Sequence, residues 1–160
     1  MSSEADVLCS GYDVGYFDKA DVARWADRWI EATDVPCDVL FDLSLNRSLH
    51  PVDLKRALRS LGSAEPDQVA STTIGFLGLL YEQKKVSAQS VVQRLFFLVH
   101  EPGLTNDETS YIYYLDDQVY HVAAGTWLPL RDVEEEVRGF LTPYAERLTV
   151  KYPEMITPGK

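Results

Sequence analysis

The sequence predicts an α+β domain that is predominantly α-helical, with about six helices and a small antiparallel β-hairpin before the last of them. Three observations lead there. Apolar residues recur at helical spacing, between recognisable start and stop signals, from Val22 to Val99. After Pro102-Gly103 the pattern turns alternating and aromatic, in Tyr111-Ile-Tyr-Tyr-Leu and then Gln118-Val-Tyr-His-Val. Asp132 and Glu135 then stand at capping-box spacing before another helical stripe. No internal repeat, low-complexity tract or Gly/Ser linker interrupts the chain, so residues 1–160 read as a single domain with an extended tail from about 151 to 160. At 160 residues and 46% hydrophobic, such a chain buries about two-thirds of its unfolded surface and needs no disulfide or metal to hold it together.

Gly11-Tyr-Asp-Val-Gly15 reads as a turn. Asp18 caps a helix to about residue 32, with Val22, Trp25, Ala26, Trp29 and Ile30 on its apolar side. A short second helix, about 36–45, is entered through Asp34 and Pro36 and carries Val39, Leu40 and Leu43. A third, about 51–61, starts at Pro51, with His50 as a possible cap, and stops at Gly62; Leu54, Leu58 and Leu61 form its stripe. Pro66 opens a longer helix to about Lys85. Its Gly75 and Gly78 each cost on the order of 1 kcal/mol against alanine, which the close approach of another backbone would offset. Ser87 caps the next helix, to about His100, apolar around much of its circumference. Asp116-Asp117 is the expected hairpin turn, which would set Tyr113 opposite Tyr120. The last helix, about 133–148, carries Val133, Val137, Phe140, Leu141, Tyr144 and Leu148, with Pro143 as a point of kinking or division.

Fifteen basic against 25 acidic residues give a net charge of −10. That balance disfavours direct binding to nucleic acid, which relies on Lys and Arg displacing counterions from phosphates. The charge is uneven: −7 over residues 1–54, +3 over 55–100 and −6 over 101–160. The most apolar run, Ile74–Tyr81, is far below the roughly 20 residues that span a bilayer, and the acidic N-terminal residues lack the basic and apolar regions of a secretory signal. No membrane association and a cytoplasmic location are therefore expected. Only Cys9 and Cys37 are present, which fits reduced thiols.

No nucleophile elbow, phosphate loop or dinucleotide fingerprint occurs. His50, His100 and His121 have no metal-ligand spacing, with each other or with the cysteines, and neither metal nor cofactor is expected. His100, Glu101 and His121 are the residues from which a small hydrolase or transferase would be built, the alternative to a binding function. A general protein-interaction adaptor is a third reading.

Two surfaces stand out instead. Asp34, Asp38 and Asp42 repeat every four residues and share a face over any helical part, where like charges repel by a few tenths of a kcal/mol per pair. Solvation, pairing with Lys55, Arg56 and Arg59, or a basic partner would each offset that. The tyrosine-rich segment with Asp116 and Asp117 is the second surface, with Tyr113 and Tyr120 as candidate anchors; its tyrosines serve equally to cover the helical core.

Gly15-Tyr16, Trp25-Ala26-Asp27 followed by Ile30, then Pro36 and Asp42-Leu43-Ser44-Leu45, resemble small bacterial proteins of the immunity type, associated with polymorphic or contact-dependent inhibition toxins. The resemblance covers the first third of the chain and carries no catalytic residue. It implies a cytoplasmic protein that neutralises one cognate toxin by binding it, with a basic nuclease domain as one candidate, since many immunity proteins that oppose nucleases are acidic. On that reading Asp34, Asp38, Asp42, Tyr113, Asp116, Asp117 and Tyr120 are the candidate partner-binding residues.

Overall fold

The polypeptide is helical from its second residue in the computed structural model, which describes residues 1–45, 49–125 and 129–156. Eight helices and no strand occur among the described residues. They fall into two compact units, Met1–Glu65 and Pro66–Lys160.

The first unit holds α1 (Ser2–Asp13), α2 (Lys19–Ala32), α3 (Asp38–Ser44) and α4 (Pro51–Leu61). α1 is absent from the sequence reading, because its N-cap, Met1, makes no side-chain cap bond and its apolar residues Ala5, Val7, Leu8 and Cys9 are nearly consecutive. α2 starts as expected, with Asp18 and Asp21 closing a reciprocal capping box, and buries Val22, Trp25 and Ala26. α4 also starts and stops where the sequence places it: the His50 side chain accepts from the Val52 amide, Pro51 occupies the first turn, and Gly62 is the C-cap. α1 packs against α4, α2 against α3, and α3 against α4, around Leu40, Leu43, Leu54 and Leu58, all at most 1% exposed.

Acidic residues of α1 tie this unit together. Asp6 accepts hydrogen bonds from the backbone amides of Ser63 and Ala64, both at 2.9 Å. Its carboxylate occupies the space beside Gly62, where a Cβ would stand 1.8 Å from Asp6 Oδ1. Gly62→Ala therefore has to displace the carboxylate and free two amides, and is expected to cost about 2 kcal/mol; an unchanged urea midpoint would refute this.

The second unit holds α5 (Pro66–Glu82), α6 (Ala88–Leu98), α7 (Asn106–Ala123) and α8 (Leu130–Lys151). The main departure from expectation is α7, which replaces the β-hairpin and makes the described chain all-helical. Thr105 and Glu108 form a reciprocal capping box, and Ile112, Leu115, Val119 and Val122 then recur at helical spacing, the first two fully buried. A strand pattern would have put Ile112 on the face opposite Tyr111 and Tyr113, yet Tyr113-Tyr114 already breaks the alternation. Asp116-Asp117, without a glycine to supply positive φ, is mid-helix and not a turn.

α8 is longer than expected at both ends. Pro129 is its N-cap, so Asp132 and Glu135 lie inside the helix, and Pro143 is accommodated without dividing it. Beyond Lys151 a turn at Tyr152 brings Ile156 to a buried position, so residues 152–156 are not extended. Residues 157–160 of the expected tail lie outside the described residues. α5 and α8 form the most extensive helix pair of the unit, α6 lies against α7, and α7 also packs on α8. Gly75 and Gly78 of α5 face α8 closely: a Cβ on Gly75 would lie 3.0 Å from the Tyr144 carbonyl oxygen, and one on Gly78 would lie 3.0 Å from Ala145 Cβ. This is the close approach that two glycines in a helix imply.

Candidate functional site

Residues 113, 116, 117 and 120 are spaced i, i+3, i+4 and i+7, so α7 gathers Tyr113, Asp116, Asp117 and Tyr120 on one face. The buried Ile112 and Leu115 turn a different side of the helix to the core. Tyr113 is 47% exposed and Tyr120 68% exposed; Asp117 is exposed and Asp116 half-buried. The expected pairing of Tyr113 and Tyr120 across a hairpin is thus wrong in geometry, yet the helix still places both tyrosines side by side with the two carboxylates.

α6 extends this surface. Phe96 meets the Tyr113 ring edge to face at 5.7 Å between centroids and meets His100 at 5.6 Å, while Phe97 is 68% exposed. Phe96 and Phe97 escape the sequence reading, which treats Phe96 as part of a broadly apolar central helix; the signal is that Leu95, not its neighbours, continues the buried stripe of Val91 and Val92. Exposed aromatics occurring singly are ordinary, but several beside one another mark a contact surface.

Between α7 and α8, the tyrosines are structural. Tyr111 donates its hydroxyl proton to Glu136 and Tyr144 donates to Glu108, and Tyr111 stacks on Phe140. Burial, followed by the neighbouring carboxylate, pushes both phenols up to about 12. Burial alone would raise Glu108, but the Tyr144 hydroxyl and the Thr105 amide and hydroxyl prevail and hold it below its usual value. The segment is therefore both core cover and free surface, divided by face.

The acidic row of the first unit is only partly assembled. α3 begins at Asp38, so Asp34 lies outside any helix. Asp38 and Asp42 are exposed at i, i+4, with exposed Phe41 and Leu45 completing an i, i+3, i+4, i+7 set. Lys55 pairs with Asp13 of α1 at 2.5 Å and Arg56 with Asp53 of its own helix at 3.1 Å. Among the described residues, no ion pair joins the basic α4 to Asp34, Asp38 or Asp42.

The residues from which an acid–base site would be built are dispersed in role. His100 packs on Phe96, Glu101 is exposed, and His121 approaches Asp117 at 3.5 Å as an i, i+4 pair. Among the described residues no group of three His, Cys, Asp or Glu side chains is disposed to hold a metal ion, and no described helix is long and apolar enough to cross a membrane. Cys9 is buried and Cys37, at the N-cap of α3, is exposed. In comparisons with protein-family models, curated proteins and solved structures, nothing matches this chain.

Proposed function

We propose that the chain is a cytoplasmic, non-enzymatic protein of the immunity type, which binds a cognate protein toxin and occludes its functional surface, the toxin domain being basic, such as a nuclease. The observation that carries this reading is the exposed face of α7, where Tyr113 and Tyr120 flank Asp116 and Asp117, with Phe96 of α6 against Tyr113. Tyrosine rings give large contact area at low entropy cost and accept guanidinium groups on their faces, while adjacent carboxylates pair with the same cations. Carboxylates at such a surface steer a basic partner inward and reject acidic ones; the aromatics supply affinity. The face on α3 is the lesser candidate, because its helix has seven residues and a single aromatic.

The test is co-expression with the C-terminal module of whatever large protein the gene immediately upstream encodes. Wild-type protein restores growth, and Asp116→Lys combined with Asp117→Lys abolishes rescue, slowing association about tenfold and weakening binding about a hundredfold. Asp38→Lys with Asp42→Lys serves as the comparison and leaves rescue intact. Absence of a toxin module at that position, or full rescue by the α7 variant with normal folding, would refute the proposal.

A further inference from the structure

We infer that the second unit binds a small molecule bearing two or more phosphate groups, in a cleft between the α5–α6 turn and α8. This goes beyond toxin binding and uses a different surface. The cleft is open to solvent and holds about 660 Å3, within the range of small-molecule sites. Lys84, Lys85 and Arg138 line it, so three of the eight basic residues between Pro66 and Lys160 meet at one place in a strongly acidic protein.

Lys84 is the informative residue. It adopts φ +56°, the sole positive-φ position among the described residues that is not glycine. Its amide donates to the Tyr81 carbonyl and the Lys85 amide donates to the Leu80 carbonyl, which closes α5 with a left-handed residue where glycine is favoured. A lysine here keeps a cation at the cleft at a local conformational cost. Arg138 is exposed, and although Glu134 lies one turn before it on α8, no ion pair joins the two. Arg138 thus keeps its guanidinium donors available for an oxyanion. Lys85 contributes charge while retaining its own interaction.

Glu82 and Glu134 also line the cleft, and they determine what kind of anion fits. Lys84 and Arg138 reach the cleft from two different elements, beside those carboxylates, so an anion has to carry enough charge to outweigh the acids and enough length to meet both cations. A monoanion gains little, whereas a diphosphate gains several-fold more and presents oxygens to both Lys84 and Arg138. The Tyr81 ring and Val86 add apolar wall, which suits an organic phosphate better than a bare ion.

The experiment is calorimetric and NMR titration of the full chain with inorganic pyrophosphate at low ionic strength, with sodium chloride at matched ionic strength as control. Saturable one-to-one binding is expected, with amide shifts concentrated at residues 84–88 and 134–138. Arg138→Gln should weaken it about tenfold. Lys84→Gly should weaken it about threefold while melting no lower than wild type, because glycine adopts the left-handed conformation freely. Binding that survives both substitutions, or shifts no greater than those produced by chloride, would overturn the inference.

Discussion

Gly78→Leu is expected to remove most of the stability of the second unit, at a cost of about 3 kcal/mol or more. A Cβ at this position would already lie 3.0 Å from Ala145 Cβ and 3.2 Å from the Leu141 carbonyl oxygen, so the remaining leucine atoms have no room unless α5 and α8 separate. Separation would uncover Ile74, Leu77, Leu141 and Leu148, all at most 4% exposed. Gly75→Leu meets the same obstacle at the Tyr144 carbonyl and Leu148. Alanine behaves differently. Its gain in helix propensity, about 1 kcal/mol, is of the same size as the cost of a contact a few tenths of an ångström too short. Gly78→Ala should therefore be close to neutral, and the steep step should come at leucine. Urea unfolding of the three proteins measures the series, and a leucine variant with the wild-type midpoint would show that the two helices are not held at this distance.

That pair of glycines shows what local sequence can reveal about tertiary structure. Gly75 and Gly78 lie in an apolar run that is too short for a membrane and costly as a plain helix, so a close neighbour follows from the energetics, although not which neighbour. Helix ends were readable for the same reason: Asp18, Ser87 and the His50-Pro51 pair act on amides within three residues of themselves. The aromatic run of α7 reads as a strand because strand-favouring Tyr and Ile dominate it, although Tyr113-Tyr114 breaks the alternation. The distinguishing signal was Thr105 with Glu108, three positions apart and outside the aromatic run.

The candidate surface was legible as residues more than as geometry. Positions seven apart face each other across a two-residue hairpin and also align on a helix, so Tyr113 and Tyr120 stay neighbours under either reading. Asp34 had no such protection: it joins the acidic row only if the helix extends back to it, and α3 starts four residues later. Lys84 and Arg138 lie 54 positions apart and come to line one cleft through the packing of α5 on α8, which no local pattern encodes.

The first unit has its own point of high cost at Glu4. Its Oε2 accepts from Trp25 Nε1 at 2.8 Å, Trp29 Nε1 at 3.1 Å and Arg28 at 2.8 Å, so one carboxylate oxygen joins α1 to three positions of α2. Glu4→Ala leaves two indole N–H groups without that acceptor, one of them on a Trp25 that is 5% exposed, and is expected to cost about 3 kcal/mol. Arg28, whose side chain is 53% exposed, contributes little of this because water screens it. The same clamp has a defined pH dependence. Burial pushes the Glu4 carboxyl up, but the two indole donors, with the Arg28 charge, outweigh it and hold the group below its ordinary 4.5. The folded protein thus binds this proton less tightly than the unfolded chain does. The stabilisation is complete above the unfolded value and disappears as pH falls through the folded one. Glu4→Gln keeps an acceptor oxygen and loses the titration, so its deficit against wild type should be full at pH 7 and shrink steadily below about pH 4.5. Urea midpoints of the two proteins across pH 7 to 3, read from the near-ultraviolet signal of the tryptophans, test this directly. A deficit that stays constant over that range would mean that the charge on Glu4 plays no part in holding α1 against α2.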